Sequence, residues 1–93
     1  MTKPPVLHIE WSPRSRRDLE AIRAYVSQHA PMAAVRLAST LVATAESLAT
    51  EPRRGRSAGG QVRELVIVRP YLIRYRVTAD AVQIIRIKHG AQL

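Results

Sequence analysis

Four prolines, Pro13, Pro31, Pro52 and Pro70, constrain the fold of this 93-residue chain more than any other feature. The proline ring fixes φ and removes an N–H, so proline opens a helix readily but stops one and interrupts a sheet ladder. Each of the four stands where the hydrophobic pattern changes. Val6 to Trp11 is dominated by Val, Leu, Ile and Trp, follows Pro4-Pro5, and reads as a short strand. Ser12 is placed to cap a helix that Pro13 opens. Leu19, Ile22, Tyr25 and Val26 then recur at three- and four-residue spacing, which predicts a helix from Pro13 to His29 with one buried face. Pro31 opens a second helix, to Thr50, whose stripe includes Val35, Ala38, Leu41, Ala45 and Leu48. The connection His29-Ala30-Pro31 is short enough to force a helical hairpin.

Beyond Pro52 the pattern is different. Gly55, Gly59 and Gly60 are mixed with Arg53, Arg54 and Arg56, without P-loop spacing and without an aromatic for base stacking, so Thr50 to Gln61 reads as a solvated linker. Val62 to Val68, Tyr71 to Thr78 and Val82 to His89 are rich in β-branched and aromatic residues, with turns at Arg69-Pro70 and Ala79-Asp80-Ala81. The expected fold is a single α+β domain over residues 1–93, of order β-α-α-β-β-β, with the helical hairpin packed on one face of a four-stranded, mainly antiparallel sheet. Tyr75, Ile73, Ile85, Ile87, Leu19, Ile22, Leu41 and Leu48 are the expected buried set. A chain this short buries one modest core, which a permanent partner would extend.

Charge narrows the choice of partner. Fifteen basic residues against seven acidic ones give a net charge of +8, and all the basic residues except Lys3 and Lys88 are arginine, whose planar fork suits phosphate and carboxylate. Strand alternation gathers part of that charge. Ile73 and Tyr75 share one face of their strand, and Arg74 and Arg76 the other; in the last strand Ile85, Ile87 and His89 share a face and oppose Val82, Ile84, Arg86 and Lys88. If the apolar sets face the helices, Arg74, Arg76, Arg86 and Lys88 converge on the open face, and Arg63 is a candidate to join them. A merely solvated face would more commonly mix Lys with Glu, so this concentration points to binding an anionic partner.

Catalytic candidates are few, and no residue is assigned a catalytic role. Cysteine is absent, which excludes disulfides, thiolate metal sites and a Cys nucleophile. No His/Glu pair has metal-ligand spacing, so neither a metal nor another cofactor is expected. Glu64 reads as an ion-pair partner for a neighbouring Arg and Asp80 as a turn residue. His89 alone sits where a general acid or base works, at a strand end beside Arg86 and Lys88; a structural or target-contact role is expected for it. The longest aliphatic run, Leu65 to Val68, is too short to span a bilayer and no signal-peptide pattern opens the chain, so a cytoplasmic location without membrane association is expected.

Several of these segments together resemble the ParE branch of the RelE/ParE toxin superfamily. They are Ile9-Glu10-Trp11-Ser12-Pro13 with Asp18-Leu19 and Ile22, then Val62-Arg63-Glu64-Leu65, then Tyr71 to Val77, and the ending Ile85-Arg86-Ile87-Lys88-His89-Gly90. The resemblance implies the toxin of a type II toxin-antitoxin pair. Its partner would be an antitoxin resembling ParD, with a DNA-binding N-terminal part and a tail that folds over the toxin. A hetero-oligomer that meets operator DNA only through the antitoxin is expected. The ParE branch is associated with inhibition of DNA gyrase, the RelE branch with cutting mRNA in the ribosome. Leu72 stands where the ribosome-dependent nucleases usually carry Arg, and Ala91-Gln92-Leu93 where they tend to carry Arg and often Tyr. These departures favour the gyrase-directed branch, with Arg63, Arg74, Arg76, Arg86, Lys88 and His89 meeting target or antitoxin.

Overall fold

A computed structural model of the chain describes residues 6–67 and 69–90. The expectations that fall on Pro4-Pro5, Val68 and Ala91-Gln92-Leu93 lie outside the described residues. The elements run β1 (His8–Trp11), α1 (Pro13–Ser27), α2 (Pro31–Ser47), β2 (Arg56–Ser57), β3 (Val62–Val66), β4 (Tyr71–Val77) and β5 (Ala81–His89). Both helices close slightly earlier than the apolar stripes suggest. Gln28 N–H donates to the Tyr25 carbonyl and Leu48 N–H to that of Ala45, the tighter bonds of a terminal turn.

The strands form one sheet in the order β1-β5-β4-β3-β2. β1 lies parallel to β5 and every other pair is antiparallel. The expected architecture therefore holds, with five strands in place of four. The extra strand comes from the segment read as a linker: Arg56 and Ser57 pair with Glu64 and Arg63. A core side chain organises that segment. The hydroxyl of Tyr75, itself fully buried, donates to the Pro52 carbonyl at 2.7 Å and accepts from Gly55 N–H at 2.8 Å. Only glycine fits at 55, because a Cβ there would stand 2.6 Å from the Tyr75 hydroxyl and 2.8 Å from the Glu64 carbonyl.

The core lies between the helices and the sheet, formed by Leu41 and Ala45 of α2 and Leu48 just beyond its end, against Ile73, Tyr75, Val82, Ile84 and Ile87. Leu19 and Ile22 of α1 pack against it but stay partly exposed. Ile85 does not join it, contrary to the alternation. Arg74 pairs with Arg86 and Tyr75 with Ile84, so Ile85 is the extra residue of a bulge. Before the bulge Val82 and Ile84 face the core; after it Ile87 and His89 share the side opposite Arg86 and Lys88. An insertion of one residue reverses the alternation of a strand, which no periodicity reading can detect.

Replacing Tyr75 by Phe is expected to cost about 1–3 kcal/mol, since it leaves a buried N–H and a carbonyl without their partner. Gly55→Ala should also destabilise, and the two changes combined should cost less than their sum because removing the hydroxyl removes part of the clash. Urea denaturation of the three variants checks both statements; strict additivity would contradict the shared contact.

Candidate functional site

β1 ends beside Ile84, and beyond that point one edge of β5 has no strand partner among the described residues. The chain covers this edge with the start of α1. Ser12 N–H donates to the Ile84 carbonyl at 3.0 Å and its hydroxyl to the Ile85 carbonyl at 2.9 Å, while the same hydroxyl accepts from Ser15 N–H at 3.0 Å and so caps the helix. One turn further on, Asp18 accepts from Ile87 N–H at 3.0 Å and from Arg86 Nε at 2.8 Å. Arg14 approaches the same carboxylate at 3.3 Å. Partial burial of Asp18 works against its charge, yet these donors prevail and hold its pKa below the usual carboxylate value.

Along α1, Asp18 is followed at helical spacing by Ile22 and Tyr25. These residues, with Tyr71 and His89 from the sheet and the Asp18–Arg86 pair, line a cleft of about 540 Å3 between α1 and the sheet. Tyr71 and His89 are cross-strand partners whose rings meet edge to face at 5.5 Å. Gly90 explains why this end of the sheet is tight: its N–H donates to the Pro70 carbonyl, and a Cβ there would lie 3.0 Å from that oxygen. The glycine of the closing His-Gly pair thus lets β5 draw close to the start of β4 and sets His89 against Tyr71.

The six predicted contact residues do not form one patch. Arg63 pairs with Tyr75, a core-facing position, and its guanidinium donates to the Gly55 carbonyl at 2.8 Å. It therefore lies on the side opposite Arg74, which corrects the expectation that it joins the open face. Arg74 is on that face, held by Glu64 at 2.8 Å, and Glu64 is only 9% exposed in its side chain. The Arg74 hydrogen bond outweighs burial and lowers the Glu64 pKa, with help from Arg56. The expected ion-pair role of Glu64 is what the structure contains, and Asp80 lies in the β4–β5 turn. Arg86 stands opposite Arg74 in the ladder, but its charge is committed to Asp18. Arg76 is exposed in a row that runs Glu10, Gln83, Arg76 across three strands. Lys88 is half-buried opposite Leu72. His89 belongs to the cleft instead.

Asp18, Tyr25 and Tyr71 were not singled out by sequence reasoning as site residues. A signal for Asp18 did exist: a carboxylate on the apolar stripe of an amphipathic helix needs a partner. Nothing in the sequence places that partner 68 residues away. Among the described residues no group of three or more His, Cys, Asp or Glu side chains could hold a metal ion, and no helix is long and apolar enough to cross a membrane.

The fold is a two-layer α+β domain with its helical hairpin on one face of the sheet, a basic composition and a cleft between α1 and the end of the sheet. Known proteins make that class specific. The family profile described as "ParE toxin of type II toxin-antitoxin system, parDE" matches residues 9–93. Toxin RelE2 of Caulobacter vibrioides is 49% identical over 85 residues, covering 91% of this chain and 97% of that protein. Toxin RelE3 of the same organism is 38% identical over 87 residues, covering 90% and 95%. A solved chain from the chromosomal ParDE TA system of P. aeruginosa superposes with a TM-score of 0.80 at 26% identity, covering 90% of this chain and 96% of that one. The protein belongs to the ParE toxin family of type II toxin-antitoxin systems.

The carboxylate anchors make its stability depend on pH with a definite sign. Asp18 and Glu64 both have lowered pKa values in the fold, so the stability they contribute is fully present above the ordinary carboxylate range of about 4 and is lost as pH falls through the lowered values. Urea midpoints between pH 7 and pH 3 should fall on the acid side. Asp18→Asn should be less stable at pH 7 and show a shallower acid decline; a curve parallel to that of the unmodified protein would contradict the role given to Asp18.

Proposed function

We propose that this toxin acts in the cytoplasm by binding DNA gyrase without catalysis, and that a ParD-like antitoxin neutralises it. One observation carries the reading: Arg74 and Arg86, two of the cations best placed for phosphoryl chemistry, are committed to Glu64 and Asp18. A nuclease needs cations available to charge that develops in the transition state. Cations locked into structural pairs suit a surface of fixed shape. Arg76 and Lys88 remain on the open sheet face for contact with an acidic partner, and His89 in the cleft.

The antitoxin has a second surface to use. Tyr25 is 65% exposed, Met32 69% and Val35 54%, all three at or near the turn of the helical hairpin. Such side chains suit the apolar face of an amphipathic tail, whose acidic residues would then meet arginines along its path. The complex is accordingly a hetero-oligomer, with operator recognition carried by the antitoxin.

Ribosome-dependent mRNA cleavage is the second reading, and the juxtaposition of Tyr71, His89 and Arg86 in one cleft favours it. Inducing the toxin without its antitoxin, and following DNA supercoiling and transcript ends in the same cells, separates the two. Gyrase inhibition with intact transcripts is the expected result. Alanine at Arg76, Lys88 or His89 should then weaken toxicity by degrees. Messages cut at ribosomal A-site positions with normal supercoiling would overturn the proposal, and in that case His89→Gln or Tyr71→Phe should lower cleavage by about a hundredfold.

A further inference from the structure

The arginine-rich segment between α2 and β3 belongs neither to the cleft nor to the open sheet face. It is also not a loose linker. Tyr75 fixes Pro52 and Gly55 from below, Arg63 holds the Gly55 carbonyl, Arg54 Nη1 donates to Ser47 Oγ at 2.7 Å, and β2 ties Arg56 and Ser57 to β3. From this backbone Arg53, Arg54 and Arg56 project into solvent. Glu64 offers little compensation: it meets Arg56 at 3.5 Å, with the Arg56 side chain 77% exposed, and is already bound to Arg74. Arg53, Arg54 and Arg56 fall within four residues and Glu51 is the one acid in the segment 50–61, so the segment keeps a net positive charge around which anions collect.

The chemistry of the segment selects among anions. Planar guanidinium forks match phosphate oxygens bidentately. Thr50 to Gln61 has no large apolar side chain to anchor an acidic peptide and no aromatic ring on which a base could stack. Exposed guanidinium forks on an ordered backbone, without either, suit the sugar-phosphate backbone of a duplex, whose contacts position a protein without reading bases. By the strand order, this segment lies at the β2 edge, across the sheet from the cleft between α1 and β5.

We propose that Arg53, Arg54 and Arg56 form a contact site for the phosphate backbone of double-stranded DNA, separate from the cleft between α1 and the sheet. This departs from the expectation that the toxin meets DNA only through its antitoxin: base recognition stays with the antitoxin, and the toxin adds phosphate contacts of its own when the complex sits on DNA. The inference does not depend on whether gyrase or mRNA is the target.

Fluorescence anisotropy of the full chain with a duplex of about 20 base pairs and arbitrary sequence, measured across a salt series, tests it. Each phosphate neutralised contributes about 0.9 to the slope of log affinity against log salt. The triple variant R53Q/R54Q/R56Q should therefore flatten the slope by about 2.7 and weaken binding at least tenfold at low salt. The charge-matched control R16Q/R17Q/R36Q, at exposed positions of the helices, should lose much less. Circular dichroism establishes that each variant is folded; should the loop triple not fold, Arg53→Glu, at an exposed position, gives the same reading with a smaller slope change. Equal losses in the two triples would assign binding to diffuse net charge and overturn the proposal. So would tighter binding to a single strand than to the duplex, or no duplex binding by the unmodified chain.

Discussion

The carboxylate of Asp18 is the contact on which the rest of the structure depends. β5 is more than twice as long as the strand on its outer edge: β1 has 4 residues and β5 has 9. The C-terminal half of β5 would otherwise leave edge amides without a partner, and an unpaired backbone group out of water is costly. Asp18 accepts the Ile87 N–H and the Arg86 guanidinium together, so one side chain of the helical layer completes the edge of the sheet layer. The ion pair alone would contribute little at a surface. Joined to a backbone amide and partly buried, it fixes where α1 crosses the sheet, and with that the walls of the cleft.

The basic surface takes its meaning from this arrangement. Net charge of +8 suggests a uniformly cationic domain, but the structure divides the arginines by task. Arg86, Arg74 and Arg63 hold α1, β3 and the Gly55 turn, while Arg76 and the Arg53–Arg56 segment face water. An acidic partner can use the second group, and with it the exposed Arg16, Arg17 and Arg36 of the helices, without displacing a structural pair. The first group can be displaced only at the expense of the fold that presents it.

Much of the fold was legible from the prolines and the two periodicities. Ser12-Pro13 and Pro31 fixed the helix starts to the residue, and Ile73 and Tyr75 against Arg74 and Arg76 fixed the faces of β4. The sequence failed where a single event at a distance changes the outcome. The bulge at Ile85 exchanged Ile85 for Ile84 and Val82 in the core. Arg63 was misplaced because both faces of β3 are apolar enough to be buried, and only pairing with Tyr75 decides between them. The 50–61 segment looked like a linker because its order comes from Tyr75, a residue 20 positions beyond Gly55. The candidate site was legible in part: His89 and Arg86 were identified, but Asp18, Tyr25 and Tyr71 enter it through contacts between layers.

If Asp18 completes the edge of β5, the amide of Ile87 must be protected from exchange by a side chain and by nothing else. Hydrogen exchange of that amide, followed by NMR in the unmodified chain and in Asp18→Ala, measures this directly. Slow exchange of Ile87 in the unmodified chain, lost in the variant while the β4–β5 ladder amides stay protected, is the predicted result. An Ile87 amide that exchanges equally fast in both proteins, or stays equally protected without the carboxylate, would contradict the account.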